Sequence, residues 1–256
     1  MKRNILVSGW PGAGSSTLVL LLAYHLHYCL LRGSDTFRYL SKKLTSTETG
    51  ARFIAVEKLL QPHFGPIYDK YIDYKLKNDK GLVVETDIGG FRLGKSKEFF
   101  SIFLIASEAE RMRRLVGDKR KEDVLVLEKR EKTLRDEYRK LYGFDWLNLK
   151  DIIKNYNLVL DNSKVGIKQE LEIVYKEIFK QKIIHKNTFD SLMLRTAQDE
   201  KNFWIKGKDF YKRVLKKNKK LLEATEVFRE ITQLFPDEIS LLPEVLLKEI
   251  RAEHNA

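Results

Sequence analysis

The chain has 256 residues, room for one α/β domain plus an appendage. Apolar residues make up 43% and charged residues 33%, a balance that supplies a core and excludes a disordered chain. The net charge of +12 favours polyanionic partners, unless it only marks lysine-rich solvated faces, and the single cysteine, Cys29, excludes an internal disulfide.

Met1-Lys2-Arg3 followed by apolar residues resembles the start of a signal peptide, but the Gly/Pro/Ser break from Ser8 to Ser16 interrupts it. The run from Leu18 to Leu31 contains His25 and His27 and falls short of the roughly 20 apolar residues that span a bilayer. The expectation is a soluble cytoplasmic protein with no membrane partner. Ile5 to Val7 reads as a short strand, followed by a glycine-rich turn and a helix from about Ser15 to His27. Tyr28 to Leu31 reads as a second strand. Phe37 to Leu76 is helical and polar, with Pro62 and Pro66 as breakers. Leu82 to Val84 and Phe100 to Ala106 are apolar strands. Glu108 to Lys140 reads as helix, loop, helix. A last strand, Leu158 to Leu160, precedes a helix from Lys168 to Lys180. Short buried strands alternating with helices predict an α/β fold, a parallel sheet with helices on both faces. After Lys180 no strand signal remains, so residues 181–256 read as a basic, all-helical extension of a 1–180 domain.

Two segments are candidates for holding phosphate. Gly9-Trp10-Pro11-Gly12-Ala13-Gly14-Ser15-Ser16-Thr17 follows a strand and opens a helix, the setting in which backbone N–H groups and a helix N-terminus cradle an anion. Its departure is Ser15, where the P-loop pattern has lysine. Gly89-Gly90-Phe91-Arg92-Leu93-Gly94-Lys95-Ser96 matches the full pattern, but the following Phe99 to Ile105 reads as a buried strand and not as the required helix. Context decides for the first loop, and so for a P-loop three-layer fold. The second is expected to be a glycine-rich surface loop between strands.

Later segments add a resemblance to the archaeal-type cytidylate kinases, P-loop nucleoside monophosphate kinases. Gly33-Ser34-Asp35-Thr36-Phe37-Arg38 stands where that family has A-G-[ED]-x-F-R. Glu85-Thr86-Asp87-Ile88-Gly89-Gly90-Phe91 matches its E-G-R-x-x-G-W, and Ala106 with Arg111 and Arg114 matches its A-x-x-x-x-R-x-x-R. Glu137-Tyr138 through Gly143-Phe144-Asp145 matches its R-Y-x-x-I-Y-G-I-D, and Tyr156 to Ser163 its last strand. The resemblance covers about residues 1–180. Two family arginines are replaced by Asp87 and Glu137, and Arg92, Lys95, Arg135 and Arg139 are candidates to compensate.

The resemblance implies an enzyme that phosphorylates a nucleoside monophosphate from ATP with Mg²⁺. CMP and dCMP come first, with AMP and UMP open. Gly9, Gly12, Ala13, Gly14, Ser15, Ser16 and Thr17 would bind ATP. Ser16 would ligate Mg²⁺, with Glu85 or Asp87 holding its waters. Asp35, Arg38 and Asp87 would face the acceptor, where a guanidinium suits a phosphate. Arg111, Arg114 and Arg130 would line a closing lid and stabilise the transferred charge. Asp35 has a simpler reading as a helix cap. Ser15 and Asp87 also motivate a rival, a protein that binds nucleotide without transferring phosphate. A second rival is nucleic-acid binding through Tyr211-Lys212-Arg213 and Lys216 to Lys220, less favoured because Asp209 and Glu223 flank the cluster. The apolar spacing of Leu221, Leu222, Val227, Phe228 and Ile231 predicts that the extension docks on the domain or on a second subunit, giving a monomer or homodimer.

Overall fold

The computed structural model describes residues 3–45, 60, 62–117, 124–196, 223–244 and 247–248. The basic clusters between residues 201 and 220 lie outside them.

Five strands form one sheet: β1 (Asn4–Gly9), β2 (Cys29–Arg32), β3 (Leu82–Glu85), β4 (Phe99–Ile105) and β5 (Leu158–Asp161). Their order is β2-β3-β1-β4-β5 and every pairing is parallel, with Ile5 opposite Val83 on one side and Phe100 on the other. Parallel strands need crossovers, and the helices that supply them cover both faces. Alternation along each strand sorts the core into two layers. Leu6, Leu31, Val84 and Phe103 enter one buried cluster, while Ile5, Val7, Leu30, Val83 and Leu104 enter the other.

The second cluster is closed by α1 (Ser15–Leu26) and α8 (Ile167–Lys180). α1 buries nearly every residue from Leu18 to Leu26, and its His25 Nδ1 meets the Tyr175 hydroxyl of α8 at 2.5 Å. The first cluster is closed by α2 (Gly33–Thr45), α3 (Gly65–Asn78) and α7 (Leu149–Asn155). Asn4 anchors α3 to the sheet: its amide donates to the Leu76 and Asp79 carbonyls at 3.0 and 2.8 Å, and its carbonyl accepts from Leu82 N at 3.0 Å. α5 (Glu108–Gly117) and α6 (Val124–Tyr142) follow β4, and Leu134 and Tyr138 of α6 pack on Ile88 and Trp146 in a third cluster.

The segment Gly89–Ser96 departs from its expectation as a surface loop. It opens with a short buried helix, α4 (Gly89–Leu93). A Cβ on Gly90 would stand 2.3 Å from the Tyr156 ring, whose hydroxyl accepts from Gly90 N at 3.1 Å. These glycines are thus required by close helix–sheet packing. Lys95 is exposed beyond the helix. Asp35 also departs from the capping role: α2 begins at Gly33, and Asp35 lies in its first turn, accepting from Arg32 Nε at 2.7 Å.

The extension is helical where described, and it packs on both layers. A helix at residues 186–196, α9, brings Leu192 and Phe189 to the α1/α8 layer, with Phe189 stacked on Phe179 at 4.7 Å. α10 (Ala224–Leu234) and α11 (Pro236–Ser240) bring Val227, Phe228, Ile231 and Ile239 to the α2/α3 layer.

Candidate active site

The strand order reverses around β1, with β3 on one side and β4 on the other, so the carboxyl end of β1 opens into the crevice where such sheets bind ligands. The loop from Gly9 to Gly14 fills that position. Gly12 and Gly14 have φ of +80° and +101°, a region side chains strain to adopt. Gly14 caps α1 without any side-chain hydrogen bond, so the first-turn N–H groups have no competing cap. The outer carbonyls are bound from behind: Pro11 O accepts from Arg111 Nη1 at 3.1 Å, and Ala13 O from Arg114 Nη1 at 3.0 Å and Asn162 Nδ2 at 2.7 Å. Ala13 N donates within the loop to Trp10 O at 2.9 Å, which leaves the N–H groups of Gly12, Gly14, Ser15 and Ser16 as the donors that suit an anion.

Glu85, at the end of β3, joins this loop to the next helix. Its Oε1 accepts from Ser16 Oγ at 2.5 Å and Ser15 Oγ at 3.2 Å, and its Oε2 accepts from Ser34 Oγ of α2 at 2.8 Å. Ser15 thus offers a hydroxyl to the same carboxylate as Ser16. A single cavity runs from the loop past Glu85 to α2, α3 and α6. Gly9, Gly12, Ser15 and Ser16 line the loop side, and Phe37, Arg38, Tyr68, Asp87 and Arg130 the other. Asp87 accepts from the Tyr138 hydroxyl at 2.9 Å. Burial pushes the Tyr68 phenol well above its ordinary range, so it faces the cavity as a neutral donor.

The expected site residues divide on this geometry. Arg38, Asp87 and Arg130 line the cavity with Glu85, Ser15 and Ser16. Arg111 and Arg114 do not line it. Arg111, buried against Glu131 and 5.6 Å from the Trp10 ring, and Arg114, held by Glu110 at 2.8 Å and by Asn162 Oδ1 at 2.9 Å, stand behind the loop. Asp35 is turned to Arg32 and is also absent from the lining. Ala13, Gly14 and Thr17 form the turn itself, with Thr17 N donating to Gly14 O at 3.0 Å. Three of the candidates to offset Asp87 are engaged elsewhere, Arg92 with Asp69 at 2.6 Å and with Asp73, and Arg135 and Arg139 with Asp145, and the fourth, Lys95, is exposed outside the cavity lining. Arg38 and Arg130 are therefore the guanidinium groups that face the cavity among the described residues.

Ser34, Tyr68, Tyr138 and Asn162 had no place in the sequence reading of the site. Ser34, Tyr138 and Asn162 sit inside three of the matched motifs, beside Asp35, Glu137 and Asp161. Tyr68 carries no local signal. Asn162 also donates from Nδ2 to Glu170 at 2.9 Å, and burial raises that carboxyl to about 7.

A parallel sheet, a glycine turn that opens a buried helix, and a strand-end carboxylate bonded to the turn's hydroxyls define a P-loop α/β protein. Its sequence is similar to archaeal cytidylate kinases. It is 28% identical over 173 residues to the cytidylate kinase of Sulfolobus acidocaldarius, covering 64% of this chain and 91% of that one. It is 27% identical over 177 residues to the cytidylate kinase of Saccharolobus islandicus, covering 66% and 87%. The similarity thus runs along nearly the whole of those chains and leaves about a third of this one outside it. No protein-family model matches the chain. Among solved structures, a shikimate kinase from Acinetobacter baumannii aligns over 72% of this chain and 97% of its own, with 18% identity and a TM-score of 0.41. No helix among the described residues is long and apolar enough to cross a membrane.

Proposed function

We propose that the chain transfers the terminal phosphoryl group of ATP to a nucleoside monophosphate, with CMP or dCMP the preferred acceptor, and that residues 1–180 form the catalytic unit. The observation that carries this reading is Glu85. It gathers Ser15 and Ser16 of the phosphate loop and Ser34 of α2 at the floor of one cavity, so a donor site and an acceptor side share one wall. The archaeal relatives are named cytidylate kinase, which supports the acceptor class.

The loop N–H groups of Gly12, Gly14, Ser15 and Ser16 bind the ATP phosphates, and Arg111, Arg114 and Asn162 hold the loop's curvature from behind. Ser16 Oγ and the Glu85 carboxylate, 2.5 Å apart, are a hard-oxygen pair of the kind that suits Mg²⁺. No group of three or more His, Cys, Asp or Glu is placed to hold a metal among the described residues. When bound, the ion neutralises charge on the phosphates. On the far side Arg38 grips the acceptor phosphate, and Arg130 offsets charge on the transferred group. The acceptor oxygen bonds to the γ-phosphorus as the bond to the β–γ bridging oxygen breaks, releasing ADP.

A second reading, nucleotide binding without transfer, rests on Ser15 in the lysine position and Asp87 in an arginine position. An ADP-release assay across all nucleoside monophosphates separates the two. Turnover with CMP or dCMP is the expected result. ATP binding with no turnover on any acceptor establishes the second reading.

A further inference from the structure

We propose that α10, in the extension, is a positioning element for the acceptor half of the cavity, with Phe228 and Glu230 as its positioning residues. The inference rests on the acceptor assignment above and adds a role for a segment that assignment does not use.

α10 lies across the two helices that form the acceptor side. Phe228 is 4% exposed and packs 5.9 Å from the Phe64 ring and 6.3 Å from the Tyr39 ring of α2. Phe64 in turn stands 5.8 Å from Phe37 and 6.2 Å from Tyr68, and both of these line the cavity. One aromatic chain therefore runs from α10 to the cavity wall. Polar contacts fix the same helix in register. Glu230 accepts from the Tyr71 hydroxyl of α3 at 2.8 Å and pairs with Lys75 at 3.3 Å. One helix further on, Glu238 pairs with Lys70 at 2.8 Å. These contacts are with α2, α3 and Phe64, the residue that caps α3. Neither the phosphate loop nor α1 shares the cluster that contains Phe228, apart from the flanking Trp10 ring.

Ring contacts in a packed interior transmit displacement, because a neighbour has no free volume to absorb it. Removing Phe228 leaves Phe64 unsupported, and the faces of Phe37 and Tyr68 lose their fixed separation. The acceptor side should loosen while the loop does not, and acceptor and ATP affinities should then part company.

The test uses the full-length chain. Phe228→Ala should raise the acceptor KM about tenfold and leave ATP affinity within about twofold. Phe228→Leu, which keeps most of the apolar volume, should restore the acceptor KM. Ile178→Ala in α8 lowers stability on the opposite layer and should leave the acceptor KM unchanged. If Phe228→Ala does not fold, Glu230→Gln and Tyr71→Phe, which preserve volume, should raise the acceptor KM about threefold. Amide exchange read without substrate should show α2 and α3 losing protection in Phe228→Ala while α1 and the sheet keep theirs. Equal acceptor KM values in Phe228→Ala and Ile178→Ala, or loss of protection spread evenly over both layers, overturns the proposal. If the wild-type chain turns over no monophosphate, the kinase reading fails, and the exchange comparison still decides whether α10 fixes the pocket helices.

Discussion

Gly14 tests the phosphate loop most directly. Its φ of +101° at the head of α1 is a conformation that a branched side chain adopts only with strain, so a substitution there shifts the loop. Gly14→Val should weaken ATP binding by at least about a hundredfold in titration, while Lys95→Ala, on the exposed turn of the other glycine-rich motif, should leave it unchanged. Arg38→Ala should instead raise the monophosphate KM and lower turnover, a loss of about 2 to 5 kcal/mol, with ATP affinity preserved. Equal losses for donor and acceptor would place Arg38 outside the acceptor site. Glu170 supplies a pH test. Burial raises its carboxyl from 4.5 to about 7, against hydrogen bonding from Asn162 and attraction from Arg114. Between those two values the unfolded chain has lost this proton and the native protein keeps it. The Glu170 contribution to stability therefore falls as pH rises from about 4.5 to about 7, then stays flat. The fall is at most about 3 kcal/mol. Glu170→Gln removes it, so the stability of the variant relative to the wild type, measured by denaturant melts, should rise over that window and no further.

The elements themselves were legible in the sequence where burial is continuous. The apolar runs at Ile5, Leu82 and Phe100 become β1, β3 and β4 because a parallel sheet covered on both faces leaves no polar side to interrupt them. The helix after the first glycine motif and the strand after the second were also legible, since only the first is followed by a helical run. What lay hidden depends on partners distant in sequence. Gly90 reads as part of a surface loop until Tyr156 is placed 2.3 Å from its missing Cβ. Arg111 and Arg114 read as lid cations until Pro11 and Ala13 carbonyls are seen to take their guanidinium groups. Asp35 reads as a cap or a ligand until Arg32 turns it aside. A prediction belongs at this scale. Gly90→Ala forces the α4–Tyr156 contact apart and should destabilise the protein by about 1 to 3 kcal/mol, with ATP affinity unchanged. A loss of ATP binding at wild-type stability would return the second motif to candidacy.

At the scale of the whole molecule, the extension is part of both layers. α9 covers the Phe179 end of α8, and α10 covers Phe64 and Tyr71 of the opposite layer. Truncation at residue 180 uncovers both patches. The melting temperature should fall by roughly 10 °C or more, read in a thermal scan. An unchanged melting temperature and unchanged elution on sizing would make the extension a separate module. The Tyr71–Glu230 contact has one more consequence, in time. Its partners are 159 residues apart. At about 5 to 20 residues per second, a ribosome needs roughly 8 to 32 s to make the second after the first. For that interval the aromatic face around Tyr71 waits for its cover, and whatever guards nascent chains has that face to guard.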